Sequence, residues 1–188
     1  MLRRSALRTV GGLLPLLVAG CDAPQRPRTA SPEAPVLRPA QQLALALAEL
    51  PPGFRQVDEL APILSATGPD DPWGRVSAYS VTYAPSEPRL DFGDIMSSVN
   101  AYFSAQYAQL AFDSWQAAVP RQYRATTVDV GLAPADVAAY VRDGACLLGF
   151  RTRNVMASVL VTHRTGASVE HAARFVRLLV VKISRSAR

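Results

Sequence analysis

Two hydrophobic periods alternate along the last two thirds of this chain, and their order leaves few architectures open. Residues 76–83 repeat at every second position, with Tyr79, Val81 and Tyr83 on one side and Ala78, Ser80 and Thr82 on the other. That is the pattern of a strand with one face buried. Residues 95–103 alternate in the same way, setting Ile95, Val99 and Phe103 against Met96 and Tyr102. From Ser104 the period changes. Ala108, Ala111, Phe112, Trp115 and Val119 fall on one helical face behind a serine suited to cap the helix, and Pro120 marks its expected end. Residues 126–130 predict a short strand, and residues 134–142 read equally well as a brief helix or an edge strand. Residues 145–151 and 155–163 form a predicted hairpin around Thr152-Arg153-Asn154. Its second arm is apolar on both faces in part, which places it centrally in a sheet.

The last element is a helix over residues 168–184. Val169, Ala172, Ala173, Val176, Leu179, Val180 and Ile183 make its inner face, while Phe175, Leu178 and Val181 lie off that face and require a cover. Residues 40–50 are the nearest candidate. They are rich in Ala and Leu, lack β-branched side chains and follow Pro39, so they predict a helix that Pro51-Pro52 stops. If that helix does not reach Phe175, Leu178 and Val181, the three become a partner-binding patch. Between these elements, residues 53–57 predict a short strand and residues 59–64 one helical turn. The expected fold is α+β: a single antiparallel sheet of about five to seven strands with two or three packed helices.

The first forty residues stand apart. Arg3, Arg4 and Arg8 precede an uncharged apolar run of twelve residues, Thr9 to Gly20. A bilayer-spanning helix needs roughly 20 residues, so this run suits the apolar region of a signal peptide. It ends in Val18-Ala19-Gly20-Cys21, an aliphatic residue, two small ones and a thiol. That stretch resembles the lipobox of bacterial lipoproteins. The resemblance implies cleavage before Cys21, a diacylglyceryl group on its sulfur, and a protein held at the membrane on the extracytoplasmic side. Arg3-Arg4-Ser5-Ala6-Leu7-Arg8 resembles a twin-arginine export signal, and Asp22 resembles the residue that retains some lipoproteins at an inner membrane. Residues 22–39 contain Pro24, Pro27, Pro32, Pro35 and Pro39 and few large apolar side chains, so a disordered tether is expected from Cys21 to Pro39. Fully extended it spans at most about 56 Å. The expected organisation is a signal peptide over 1–20, a lipidated tether over 21–39 and one domain over 40–188.

The formal charge of +5 on the whole chain suggests an acidic partner only until it is divided. Residues 1–21 hold +3 and residues 22–40 hold +1, leaving +1 on residues 41–188. The domain has no basic stripe of the kind that nucleic acid binding requires. It is long enough to bury roughly 70% of its unfolded surface. With Cys21 carrying lipid, Cys146 is the one cysteine left and has no partner for a disulfide, so it is expected to pack as a small apolar side chain.

Motifs for chemistry are sparse. His163 and His171 stand in no motif, there is no G-x-S-x-G elbow, and no glycine-rich phosphate loop or haem-attachment sequence occurs. Asp70-Asp71 and the pair Asp91 and Asp94 lie in turns, where Asp is common without a metal. No metal and no cofactor is expected. Trp73 stands beside a Pro-rich loop, and Arg151, Arg153 and Asn154 crowd one hairpin turn where they could grip an anion. The turn Phe150-Arg151-Thr152-Arg153-Asn154-Val155 followed by a helix containing Ala-Ala-Arg resembles a scattered group of small bacterial lipoproteins. The layout is similar to PsbP-like sheet-and-helix domains, at the level of fold. The resulting expectation is a non-enzymatic, lipid-anchored accessory or interaction domain with a membrane-protein partner. The alternative is a small-ligand or lipid-binding module with a pocket between sheet and helices, which an apolar pocket of several hundred cubic ångströms would favour.

Overall fold

The computed structural model describes residues 35–63, 74–87, 92–130, 136–163 and 169–186, with the side chains of residues 61–63 and 92 left aside. Seven strands form one antiparallel sheet: β1 (Phe54–Ile63), β2 (Arg75–Pro85), β3 (Phe92–Tyr102), β4 (Thr126–Val128), β5 (Val137–Arg142), β6 (Ala145–Thr152) and β7 (Val155–His163). Their order across the sheet is β1-β2-β3-β7-β6-β5-β4. The apolar second arm of the hairpin, β7, therefore takes the central place, and both its faces are covered. One face buries Val155, Ala157, Val159 and Val161, and the other carries Met156. The α+β expectation holds.

Each face has its own cover. The helix α2 (Ala105–Tyr123) lies on one face, where Ala108, Phe112 and Val119 pack with Tyr102, Ala138, Tyr140 and Met156. Its cap is the expected one, with Ser104 Oγ accepting from the Tyr107 amide at 3.3 Å. The opposite face carries the helix α3 (Val169–Arg185), whose Ala172, Ala173, Val176, Leu179 and Ile183 are buried as the stripe predicts. Cys146, fully buried on that face, is a core residue, and burial pushes its thiol up to about 11.

Beside α3, the sheet face over β2 and β3 is covered by residues 35–50, and here the structure corrects the sequence reading twice. No helix runs over 40–50. Only Ala40–Leu43 is helical (α1), and a single 3-10 turn follows at Leu47–Glu49. The docked chain also begins before residue 40, since Val36 is 2% exposed. The physical reason for both is a set of buried polar side chains that hold this strap by its backbone. Asn154 Oδ1 accepts from the Val36 amide at 2.7 Å, and Asn154 Nδ2 donates to the carbonyls of Val36 and Tyr102. Ser77 Oγ accepts from the Ala40 amide, and Ser97 Oγ from the Leu45 amide. Tyr83 donates its hydroxyl proton to the Leu45 carbonyl at 2.8 Å, and Lys182 reaches over from α3 to the Ala44 carbonyl at 2.7 Å. Ser77, Ser97 and Asn154 are the buried polar side chains of the described core, and all three serve the strap. These tertiary bonds outweigh the modest helix preference of the Ala-Leu run.

Smaller differences follow the same logic. The helical turn expected at 59–64 is strand over residues 59–63, because β1 pairs with β2 from Phe54 through Ile63, and residue 64 lies outside the described residues. Within the ambiguous segment 134–142, residues 137–142 form β5, which lies between β4 and β6, and residues 134 and 135 lie outside the described residues. Phe103 leaves the strand it was assigned to and is 59% exposed. Helix α2 runs through Pro120 to Tyr123. A proline there has no amide to donate to the Gln116 carbonyl four residues earlier. Tyr140 supplies the missing donor, with its hydroxyl 3.0 Å from the Gln116 oxygen.

Candidate functional site

Antiparallel register places side chains in rows across the sheet, and two adjacent rows beneath α2 differ in size. One row runs Ser80, Ser98, Ser158, Gly149, Ala138. All are small, and the Trp115 indole settles over Gly149. A Cβ at Gly149 would fall inside contact distance of the indole, so this position requires glycine. Trp115 is fixed from two further sides, stacked on Phe112 at 5.9 Å and meeting Tyr140 edge-on at 5.5 Å.

The next row runs Thr82, Met96, Leu160, Leu147, Tyr140, Thr127. Its four central members are large and apolar, but no bulky side chain of α2 fills the space above them. A cavity of about 390 Å³ results. Met96, Leu160, Leu147 and Tyr140 make its floor, Val119 and Ala125 its roof, and Tyr123, Arg142, Asp143 and Ala145 its mouth. Burial pushes the Tyr140 phenol above its usual range, so it stays a neutral donor committed to Gln116. The charges at the mouth are likewise committed. Arg142 donates from Nη1 to the Tyr123 carbonyl at 2.6 Å and from Nε to Asp143 Oδ2 at 2.9 Å. The first of these bonds satisfies a carbonyl at the end of α2, just before Arg124 turns into the left-handed region with φ 48°. What remains is a volume lined by hydrocarbon, sulfur and aromatic rings, suited to an uncharged apolar molecule.

None of the candidate site residues named from the sequence lines this cavity. Cys21 lies outside the described residues, as do Trp73, Asp70, Asp71 and Asp91. The patch of Phe175, Leu178 and Val181 is divided: Phe175 is 2% exposed and belongs to the core, whereas Leu178 and Val181 are 39% and 47% exposed. The last two border a recess of about 280 Å³ with Arg38, Glu49, Lys182 and Arg185. Phe175 is buried because the core-facing arc of α3 is wider than the stripe assigned to it.

The anion contact expected of Arg151, Arg153 and Asn154 is also corrected. Asn154 is buried and holds the strap, while the Arg151 guanidinium pairs with the Asp136 carboxylate and donates to the Arg153 carbonyl. The turn is a structural clasp built on these bonds. His163 and His171, unrelated in the sequence, are brought together as nearly parallel rings with centroids 5.4 Å apart. Among the described residues, no group of three His, Cys, Asp or Glu is placed to hold a metal ion.

The cavity was missed because its signal is distributed. Met96, Tyr140, Leu147 and Leu160 each read as one position in an alternating strand, and only the register puts them in a single row. The proline in α2 was the one local sign that the helix end is unusual.

This architecture is an α+β sheet flanked by helices on both faces. No family model matches the chain, and no curated protein matches it by sequence. Among solved structures it is similar to the extracellular domain of PknH from Mycobacterium tuberculosis, with a TM-score of 0.53 at 13% identity, covering 78% of this chain and 95% of that one. At that identity the likeness is one of fold.

Proposed function

We propose that this protein is a lipid-anchored, extracytoplasmic binding domain whose cavity under the C-terminal half of α2 takes a small, uncharged apolar ligand. The observation that carries the reading is the cavity of about 390 Å³, floored by a row of large apolar side chains, with its charged neighbours already bonded to each other or to backbone. Such a site offers burial and shape to an apolar molecule, and its charges stay at the solvent-exposed rim. The role is binding and not catalysis. Attachment at Cys21 is supported by the resemblance of Val18-Ala19-Gly20-Cys21 to a lipobox, and placement outside the cytoplasm also by the fold shared with the extracellular domain of PknH. Among the described residues, no helix is long and apolar enough to cross a membrane.

The test is titration of the purified protein with the uncharged probe N-phenyl-1-naphthylamine, comparing the parent with Leu147→Trp. The larger ring fills the floor of the cavity, so probe fluorescence should rise with the parent and be lost with the variant while the melting temperature holds. Equal probe binding by both proteins would refute a ligand in this cavity. A second reading, an interaction domain with a membrane-protein partner, is favoured by the exposure of Leu178 and Val181. Leu178→Asp should then leave the domain folded and abolish its crosslinks to that partner in membranes.

A further inference from the structure

We propose that the end of the domain bearing Leu37 and Phe103 rests on the bilayer, with these two side chains in the interfacial zone of an anionic leaflet. This orientation requires the lipid attachment proposed at Cys21. Leu37 is 87% exposed and Phe103 59%, although they come from distant parts of the chain. They border one recess of about 380 Å³ where the strap enters the fold. Tyr107, 40% exposed in the first turn of α2, lies at the same end, its ring packed against Gly74, whose carbonyl accepts the Phe103 amide. A single exposed apolar side chain is ordinary on a protein surface, but an aliphatic residue grouped with two aromatics resembles the composition that partitions at a lipid headgroup boundary.

Chain length selects the bilayer as the occupant. Fourteen steps separate Cys21 from Pro35, which is at most about 50 Å of contour and roughly 20 Å as a coil. The strap enters beside Asn154, so this end is the one that the anchor holds near the lipid. Tethering raises the effective concentration of bilayer at that end enough for a weak contact to be populated. Charge points the same way. Arg38 adjoins Leu37, and Arg185 borders a recess with Arg38. The acidic Asp136 is paired with Arg151, and Glu49, which borders the same recess as Arg38 and Arg185, is paired with Lys182. The cavity mouth at Tyr123 and Arg142 lies at the other end of the strands, about 24 Å away over the length of β6 at the usual rise per residue. It therefore opens away from the membrane, toward a ligand arriving from solution.

The test uses the mature lipidated protein, purified and reconstituted into vesicles of phosphatidylglycerol and phosphatidylcholine, so that no other protein can cover the surface. Single reporters are introduced as Leu37→Cys, Phe103→Cys and Gln122→Cys and labelled with a polarity-sensitive fluorophore. Cys146 is fully buried and escapes labelling in the folded protein, which also verifies folding. Labels at 37 and 103 should show a blue shift, quenching by lipid-borne nitroxide and loss of quenching by aqueous iodide, whereas the label at 122 stays aqueous. If all three are quenched equally by iodide, the docking is overturned while the anchor stands. Recovery of the protein without lipid would instead remove the anchor on which the orientation depends.

Discussion

Asn154→Ala should detach the start of the strap. The carboxamide makes three buried hydrogen bonds, to the Val36 amide and to the carbonyls of Val36 and Tyr102. Left unpaired in place, three backbone groups at about 1–3 kcal/mol each would cost roughly 3–9 kcal/mol. The chain has a cheaper response. Residues 35–39 can lift off and expose the groups to water, which costs the burial of Val36, about 1.5–3 kcal/mol at most. Release of its ordered backbone offsets part of that. The expected loss is therefore about 2 kcal/mol, a ceiling set by local undocking and not by the sum of broken bonds. In a domain of this size that lowers the melting temperature by roughly 4–8 °C. Urea denaturation gives the free energy, and amide hydrogen exchange gives the location. Protection should vanish at Val36 and weaken at Ala40, yet persist at Leu45, which Ser97 and Tyr83 hold independently. A stability change below about 0.5 kcal/mol, which is the level of an ordinary surface substitution, would refute the clasp. So would a large loss with Val36 protection intact. Truncation adds a check: deleting residues 24–34 should leave stability unchanged, whereas deleting 24–39 should cost at least as much as Asn154→Ala.

Three further outcomes are expected. Cys21→Ala should move the protein from membrane to soluble fractions or leave an uncleaved precursor, because the anchor needs its thiol; a lipid-modified mass on that variant would contradict it. Tyr140→Phe should destabilise the domain by about 1–2 kcal/mol by orphaning the Gln116 carbonyl, and this cost should shrink in a Pro120→Ala background, where an amide returns; equal costs in both backgrounds would dissociate Tyr140 from the proline. The Cys146 thiol, raised by burial from 9.0 to about 11, keeps its proton in the folded state after the unfolded chain has begun to lose it, so stability should fall as pH rises from 9 toward 11. Cys146→Ala should flatten that part of the profile, leaving the decline above pH 10 to the buried Tyr79, Tyr83 and Tyr140, each also raised by burial.

Local patterns in the chain determined the elements and which side of each faces inward. Tyr79, Val81 and Tyr83 share a face as their alternation requires, Ser104 caps α2, the helical stripe from Ala108 to Val119 meets the sheet, and β7 is central because it is apolar on both sides. These traits depend on neighbours one to four positions apart, and burial of the apolar face rewards them in almost any compact arrangement. Tertiary structure decided the rest, wherever the partner of a group lies far along the chain. Residues 40–50 are fit for a helix by propensity, but Ser77, Ser97, Tyr83 and Lys182 offer their backbone better bonds than an isolated short helix would make. Pro120 should have ended α2, but a tyrosine in β5 replaces the bond that it forfeits. Phe175 turned inward because the core was wide enough to take it. The cavity belongs wholly to this second kind of information. Met96, Leu160, Leu147 and Tyr140 become one row only after β3, β7, β6 and β5 have settled their registers, and a shift of one residue in any strand would turn its member of the row to the opposite face.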